Sequence, residues 1–110
     1  MTASNDNEAF VPDWPGRIVG NAGHDQICAV LVFDVQAVPD WAGQVLAKVE
    51  DVISGKSTGW EMAMNAHILN VGMEVSDISP VYDDAGDPSV QVKTQELRAA
   101  LVAWCKQIDR

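Results

Sequence analysis

Residues 27–35, Ile-Cys-Ala-Val-Leu-Val-Phe-Asp-Val, are apolar at every position except Asp34. No other stretch constrains the fold of this chain as tightly. The run shows no polar face, is rich in β-branched side chains, and is short for an ordinary helix. It reads as a strand buried on both faces, which places it inside a sheet covered on each side.

The segments that follow supply the cover and the rest of the sheet. Pro39-Asp40 opens a helix, with Asp40 suited to cap the free amides of its first turn. Trp41, Val45, Val49 and Val52 then recur at helical spacing, with Ala42, Leu46 and Ile53 beside them. Gly55 stops that helix, because glycine tolerates the positive φ of a helix terminus. Residues 60–71 alternate as a strand, with Trp60, Met62, Met64, Ala66 and Ile68 on one face. Glu61, Ala63, Asn65, His67 and Leu69 fall on the other. Gly72 permits a tight turn into a second strand over residues 73–82. Met73, Val75 and Val81 share one of its faces, and Pro80 confines its end to an edge or a bulge. Residues 83–88 form a turn or loop. Val90 and Val92 make a further short strand, and Thr94 caps a last helix ending near Ile108. Leu97, Leu101, Trp104 and Ile108 form its apolar stripe. Residues 10–26 are punctuated by Pro and Gly and read as loop, with a possible short edge strand at residues 17–19. The fold class expected is α/β in the α+β sense. Its sheet is mixed and mainly antiparallel, with about four to five strands and two packed helices.

One domain spans the 110 residues, with 1–9 read as a frayed tail. That tail lacks the basic and apolar regions of a secretion signal, and no apolar run is long enough to span a bilayer. Cys28 and Cys105 each lie in apolar surroundings and read as reduced, buried thiols, so the cytoplasm is the expected compartment. Charge is the strongest compositional signal: sixteen acids face seven bases, a formal net charge of −9. Such a surface disfavours nucleic acid and anionic lipid and suits a basic partner.

Chemistry is sparse along the chain. His24 and Cys28 make no complete metal set, since zinc takes three or four protein ligands. Gly55-Lys56-Ser57 resembles the tail of a phosphate loop, but Glu50 stands where the upstream glycine belongs. His67 lies on a mixed strand face with no partner that the sequence names, so a general base is not indicated. Asp83, Asp84 and Asp87 surround Gly86 without the order of a calcium loop, and they form an acidic patch instead. Glu61, Glu74 and Asp77 add carboxylates on neighbouring strands. Trp41 and Trp104 read as core, whereas Trp14 either pins the N-terminal loop to the body or serves as an exposed anchor. No cofactor or metal is expected.

One block carries a resemblance. Val52-Ile53-Ser54-Gly55-Lys56-Ser57, then Gly59-Trp60-Glu61, then Asn65-Ala66-His67 and Leu69 are similar to a pattern in immunity proteins of bacterial contact-dependent growth inhibition systems. The likeness extends through residues 75–82, the acidic residues 83–87, and a terminal helix with Trp104 near its end. Met64 stands where that family often has glycine, and the first 26 residues match no part of the pattern. The resemblance implies a non-enzymatic inhibitor in the bacterial cytoplasm that binds the C-terminal domain of a cognate toxin, often a nuclease. It implies no direct contact with nucleic acid or membrane. The acidic balance makes Asp83, Asp84 and Asp87 the expected contact residues, with Glu61, Glu74 and Asp77 behind them. Two other classes remain open. One is a small hydrolase or metal-dependent enzyme using His67 with Glu61 or Glu74; the other is a regulatory subunit docking through a patch around Trp14.

Overall fold

The computed structural model describes residues 11–82 and 89–109. Among them are three α-helices, α1 (Ala22–Val30), α2 (Pro39–Ile53) and α3 (Thr94–Ile108), and a π-helical turn, Leu31–Val35, continuing α1. Four strands, β1 (Trp60–Ala63), β2 (His67–Val71), β3 (Val75–Pro80) and β4 (Val90–Lys93), form one sheet in the order β1-β2-β3-β4. Every neighbouring pair is antiparallel. The α+β class and the four strands agree with the sequence reading, and a third helix is added to the expected two.

That third helix is the main correction. Residues 27–35 are helical, not a central strand. Ile27, Val30, Leu31, Asp34 and Val35 are buried, while Val32 and Phe33 are exposed. The buried positions follow i, i+3, i+4, i+7, i+8, the spacing of one helix face. Apolar residues on the solvent side concealed that period. Asn21 caps α1, its side-chain oxygen accepting from the His24 amide, which satisfies one of the free first-turn donors. Among the described residues no strand precedes α2, and the sheet is a simple antiparallel meander. Residues 17–19 form no strand; turns fall at residues 15–16 and at residues 19–20.

Three further elements differ in detail. The alternating stretch 60–71 breaks at residues 64–66 into a hairpin, closed where the Met64 amide donates to the His67 carbonyl. In β3 it is Ser76 and Ile78 that are buried, with Met73 and Val75 exposed. Thr94 opens α3 but caps nothing with its side chain. Its buried hydroxyl donates to the Gly72 carbonyl at 2.7 Å, which leaves the Ser76 hydroxyl to donate to Thr94 Oγ1, also at 2.7 Å. The start of α3 is thereby tied to the β2–β3 turn. Gly72 is required there: a Cβ would stand 2.7 Å from the Val75 carbonyl oxygen.

The three described helices lie on one side of the sheet. α2 and α3 pack on each other, α1 packs on β4, α3 reaches β3 and β4, and α2 touches β1. Leu69, Val71, Ile78 and Val92 from the sheet meet Val45, Val49 and Val52 of α2 and Leu97, Leu101 and Trp104 of α3 in one core. Each such side chain contributes about 1.5–3 kcal/mol by leaving water. The Trp104 indole also donates to the Gln36 carbonyl at 2.9 Å. Trp14 is buried, and the loop around it is fastened by the Ile18 amide donating to His24 Nδ1 (2.9 Å) and by the Gln107 amide donating to the Val11 carbonyl (2.9 Å). Trp14 thus pins the N-terminal loop. Gly55, with φ at +86°, ends α2 as its position demands.

Candidate partner-binding surface

The described helices cover one face of the sheet, and among the described residues nothing packs on the other, open face. Residue alternation then sorts the side chains. Glu61, Asn70, Asp77 and Gln91 lie directly opposite one another across all four strands and are exposed. The two carboxylates stand two strand spacings apart, about 10 Å. Gln91 Nε2 donates to Asp77 Oδ1 at 3.3 Å. Lys93 lies on the same open face, opposite Val75. Glu74 is not part of this row; it is exposed in the β2–β3 turn, where its carbonyl accepts from the Thr94 amide. Asp83, Asp84 and Asp87 lie outside the described residues.

His67 falls on the core side of β2, opposite to Glu61. The break at residues 64–66 shifts the alternation by one, so that Met62 pairs with Leu69 and Glu61 with Asn70. Glu74 sits beyond the other end of β2. Neither carboxylate named for an enzymatic pair is therefore beside His67. Its partner is Asp34, a residue with no role in the sequence reading. His67 Nδ1 lies 2.6 Å from Asp34 Oδ2, and the Ala66 amide donates to Asp34 Oδ1 at 2.6 Å. The Asp34 side chain is 0% exposed and that of His67 3%. A buried carboxylate needs such donors to offset its lost hydration. The Asp34 contact means that Nδ1 carries the proton. Nε2 is buried and has no hydrogen-bond partner among the described residues. An Asp–His pair orients the base in hydrolase triads, but here the histidine's second nitrogen faces the interior. The geometry is that of a clasp between the π turn and the β1–β2 hairpin. The one charge within an apolar run was the available signal for Asp34, because a buried charge implies a partner.

Around this clasp the chain makes a second feature, a cleft of about 500 Å³ between the start of α2 and the edge strand β1. Val38, Trp41, Met62 and Met64 give it apolar walls, and the amides of Gln36 and Asn65 border it. The consecutive residues 62–65 all line it, so it follows the edge of β1 and not one face. Trp41 is fixed by its indole N–H donating to the Asp34 carbonyl at 3.2 Å, and Asn65 by donating to the Phe33 carbonyl at 3.2 Å. Gln36 adopts φ +62° and ψ −177°, a conformation otherwise nearly confined to glycine that costs on the order of 1–3 kcal/mol. Three contacts hold it there. Its amide donates to Leu31, its side chain donates to Phe33, and its carbonyl accepts from Trp104. Strain of this kind and π turns both concentrate at functional positions.

Charge is segregated in the same way. No Lys or Arg occurs between Arg17 and Lys48 or between Lys56 and Lys93. The first interval holds three acids and the second six, so together they account for the whole net charge of −9. These intervals supply the cleft and nearly all of the open sheet face.

Other titratable groups serve the fold. His24 is buried, with Nε2 3.2 Å from Glu96 Oε2. The Glu50–Arg98 pair joins α2 to α3 at 3.0 Å; being half-exposed, it contributes little, about 0–1 kcal/mol. Burial raises both thiols above the usual cysteine range. At Cys28 the nearby Arg17 opposes that shift, and at Cys105 Glu50 adds to it. Among the described residues, no group of three or more His, Cys, Asp or Glu side chains is placed to hold a metal ion, and no helix is long and apolar enough to cross a membrane. No protein-family model matches the chain, nor does any curated protein or solved structure.

Proposed function

We propose that this chain is an immunity protein of the contact-dependent growth inhibition type, acting in the bacterial cytoplasm. It binds the C-terminal domain of a cognate toxin, a nuclease, and neutralises it without chemistry of its own. The observation that carries the reading is the segregation of charge. The entire acidic excess falls in two base-free stretches, and these supply the cleft and the Glu61 and Asp77 carboxylates of the open sheet face. A nuclease must hold phosphates with cationic groups, and an acidic surface of this kind complements such a site and speeds encounter with it. The resemblance of residues 52–69 to the immunity pattern supports the same reading. So does the enclosure of His67 with Asp34, which leaves the histidine a fastening role.

Glu61 and Asp77, together on the open face, are assigned to the contact surface, as are Asp83, Asp84 and Asp87. Glu74 contributes from the turn. The test is co-purification with the C-terminal region of the polypeptide encoded immediately upstream, followed by titration calorimetry across salt. Tight binding that weakens with salt is expected. Absence of binding in every salt condition would remove the inhibitor reading. Reversing Asp83, Asp84 and Asp87 is expected to weaken binding and flatten its salt dependence while the melting temperature stays in place. Unchanged affinity would take those three residues out of the interface.

A further inference from the structure

Building on the inhibitor reading, we infer that the cleft beside β1 is the anchor point of the interface and receives a large apolar side chain carried on a basic segment of the toxin domain. Three observations converge on it. The walls are Val38, Trp41, Met62 and Met64, an aromatic side chain and two flexible thioethers, and thioethers adapt to an inserted apolar group. Apolar surface is uncovered at and next to the lining: Val38 of the wall is 46% exposed, and Phe33, whose carbonyl accepts from Gln36 and Asn65 of the lining, is 58% exposed. Scattered exposed apolar residues are ordinary, but here they stand beside a formed cavity, as at interaction sites. The third observation is charge. Asp40 and Glu61 are exposed on the elements that form the cleft, and the stretches supplying it contain no Lys or Arg. A neutral apolar group flanked by Arg or Lys therefore fits both floor and rim, whereas an acidic segment is repelled.

The size of the cleft, about 500 Å³, is in the range of pockets that enclose a ligand group. Interfaces concentrate their affinity in a few aromatic or aliphatic anchors seated in such pockets, with charged residues at the rim governing encounter. This divides the labour between two parts of one surface. The acids of the open face set the rate and salt dependence of association, and the cleft holds the complex together. Gln36 and the Asp34–His67 clasp keep the cleft formed in the free protein, so little ordering is left for the moment of binding.

The experiment uses the full chain and the upstream-encoded C-terminal domain as probe. Phe33→Ser and Val38→Ser remove apolar area at exposed positions without altering charge, so folding, checked by melting temperature, is preserved. Each is expected to weaken binding by about tenfold, mainly through faster dissociation, with the salt slope unchanged. In wild-type protein carrying labelled methionine methyls, the Met62 and Met64 signals are expected to shift on adding the probe. If the wild type binds but both variants retain its affinity and the Met62 and Met64 signals do not move, the cleft is not the anchor, although the inhibitor reading survives. If Met62 and Met64 shift with protein concentration alone, the cleft joins two copies of this chain and the assignment fails. If the wild type does not bind the probe, the inhibitor reading itself falls and takes the anchor with it.

Discussion

Asp34 is the residue on which the most separate parts of the molecule depend. Its carboxylate joins the π turn to the hairpin through Ala66 and His67, and its carbonyl fixes Trp41. Removing one partner of a buried pair leaves an uncompensated polar group, so His67→Ala is expected to lower stability by about 3–5 kcal/mol in urea denaturation. A loss below about 1 kcal/mol would mean that the clasp is not what holds these elements together. Gly72 is a second residue of this kind. With the Val75 carbonyl 2.7 Å from any added Cβ, Gly72→Ala should cost about 1–3 kcal/mol as the turn is forced apart. Neither role follows from residue type alone. Gly72 announces a turn in the sequence, but the carbonyl that excludes a side chain is brought there by strand pairing. Asp34 stands out in an apolar run, but its partner lies 33 positions away.

At the scale of elements, the two long helices were legible because one face of each is apolar and the other polar. Trp41, Val45, Val49 and Val52 predicted α2, and Leu97, Leu101, Trp104 and Ile108 predicted α3. The helix over residues 22–30 and its π continuation were not, since Val32 and Phe33 place apolar residues on the solvent side. Those two exposed side chains blur the period, and the carbonyl of one of them, Phe33, accepts from Gln36 and Asn65 of the cleft lining. A local rule broken at a working surface is the expected pattern. The π turn ends in the strained Gln36, which yields a test. Gln36→Gly removes the steric cost of φ +62° and is expected to raise stability by about 1 kcal/mol, the strain relieved exceeding the added chain entropy. Gln36→Ala keeps the strain and should bring no gain. Equal melting temperatures for the two variants would show that the backbone there is not strained. The hairpin at residues 64–66 was missed for a related reason. The alternation continues through it in sequence, while the Asp34 clasp and the Met64–His67 bond turn the chain and shift the pattern by one residue.

For the molecule as a whole, the net charge of −9 acts against compactness as well as on partners. Added salt is therefore expected to raise the melting temperature of the free protein while weakening its complex, and a fall in melting temperature with salt would contradict this. The thiols set a limit on the alkaline side. Burial raises Cys28 and Cys105 in the folded state, so their neutral forms are favoured there. Their contribution to stability is complete below the unfolded thiol range and is lost as pH rises through it and beyond, above about 8.5. Cys28→Ala with Cys105→Ala should flatten stability against pH between neutrality and about pH 10, and an unchanged slope would assign that loss to other groups. The sequence by itself determined the α+β class, the two amphipathic helices, the turns at Gly55 and Gly72, and the acidic excess. These are local periodicities, backbone tolerances and sums, which need no knowledge of neighbours. Tertiary structure alone decided that residues 27–35 coil, that His67 faces Asp34 and not Glu61, and that one sheet face stays open beside a cleft. Each of these turns on which distant residue buries, pairs with or uncovers another, and that is settled only when the chain packs.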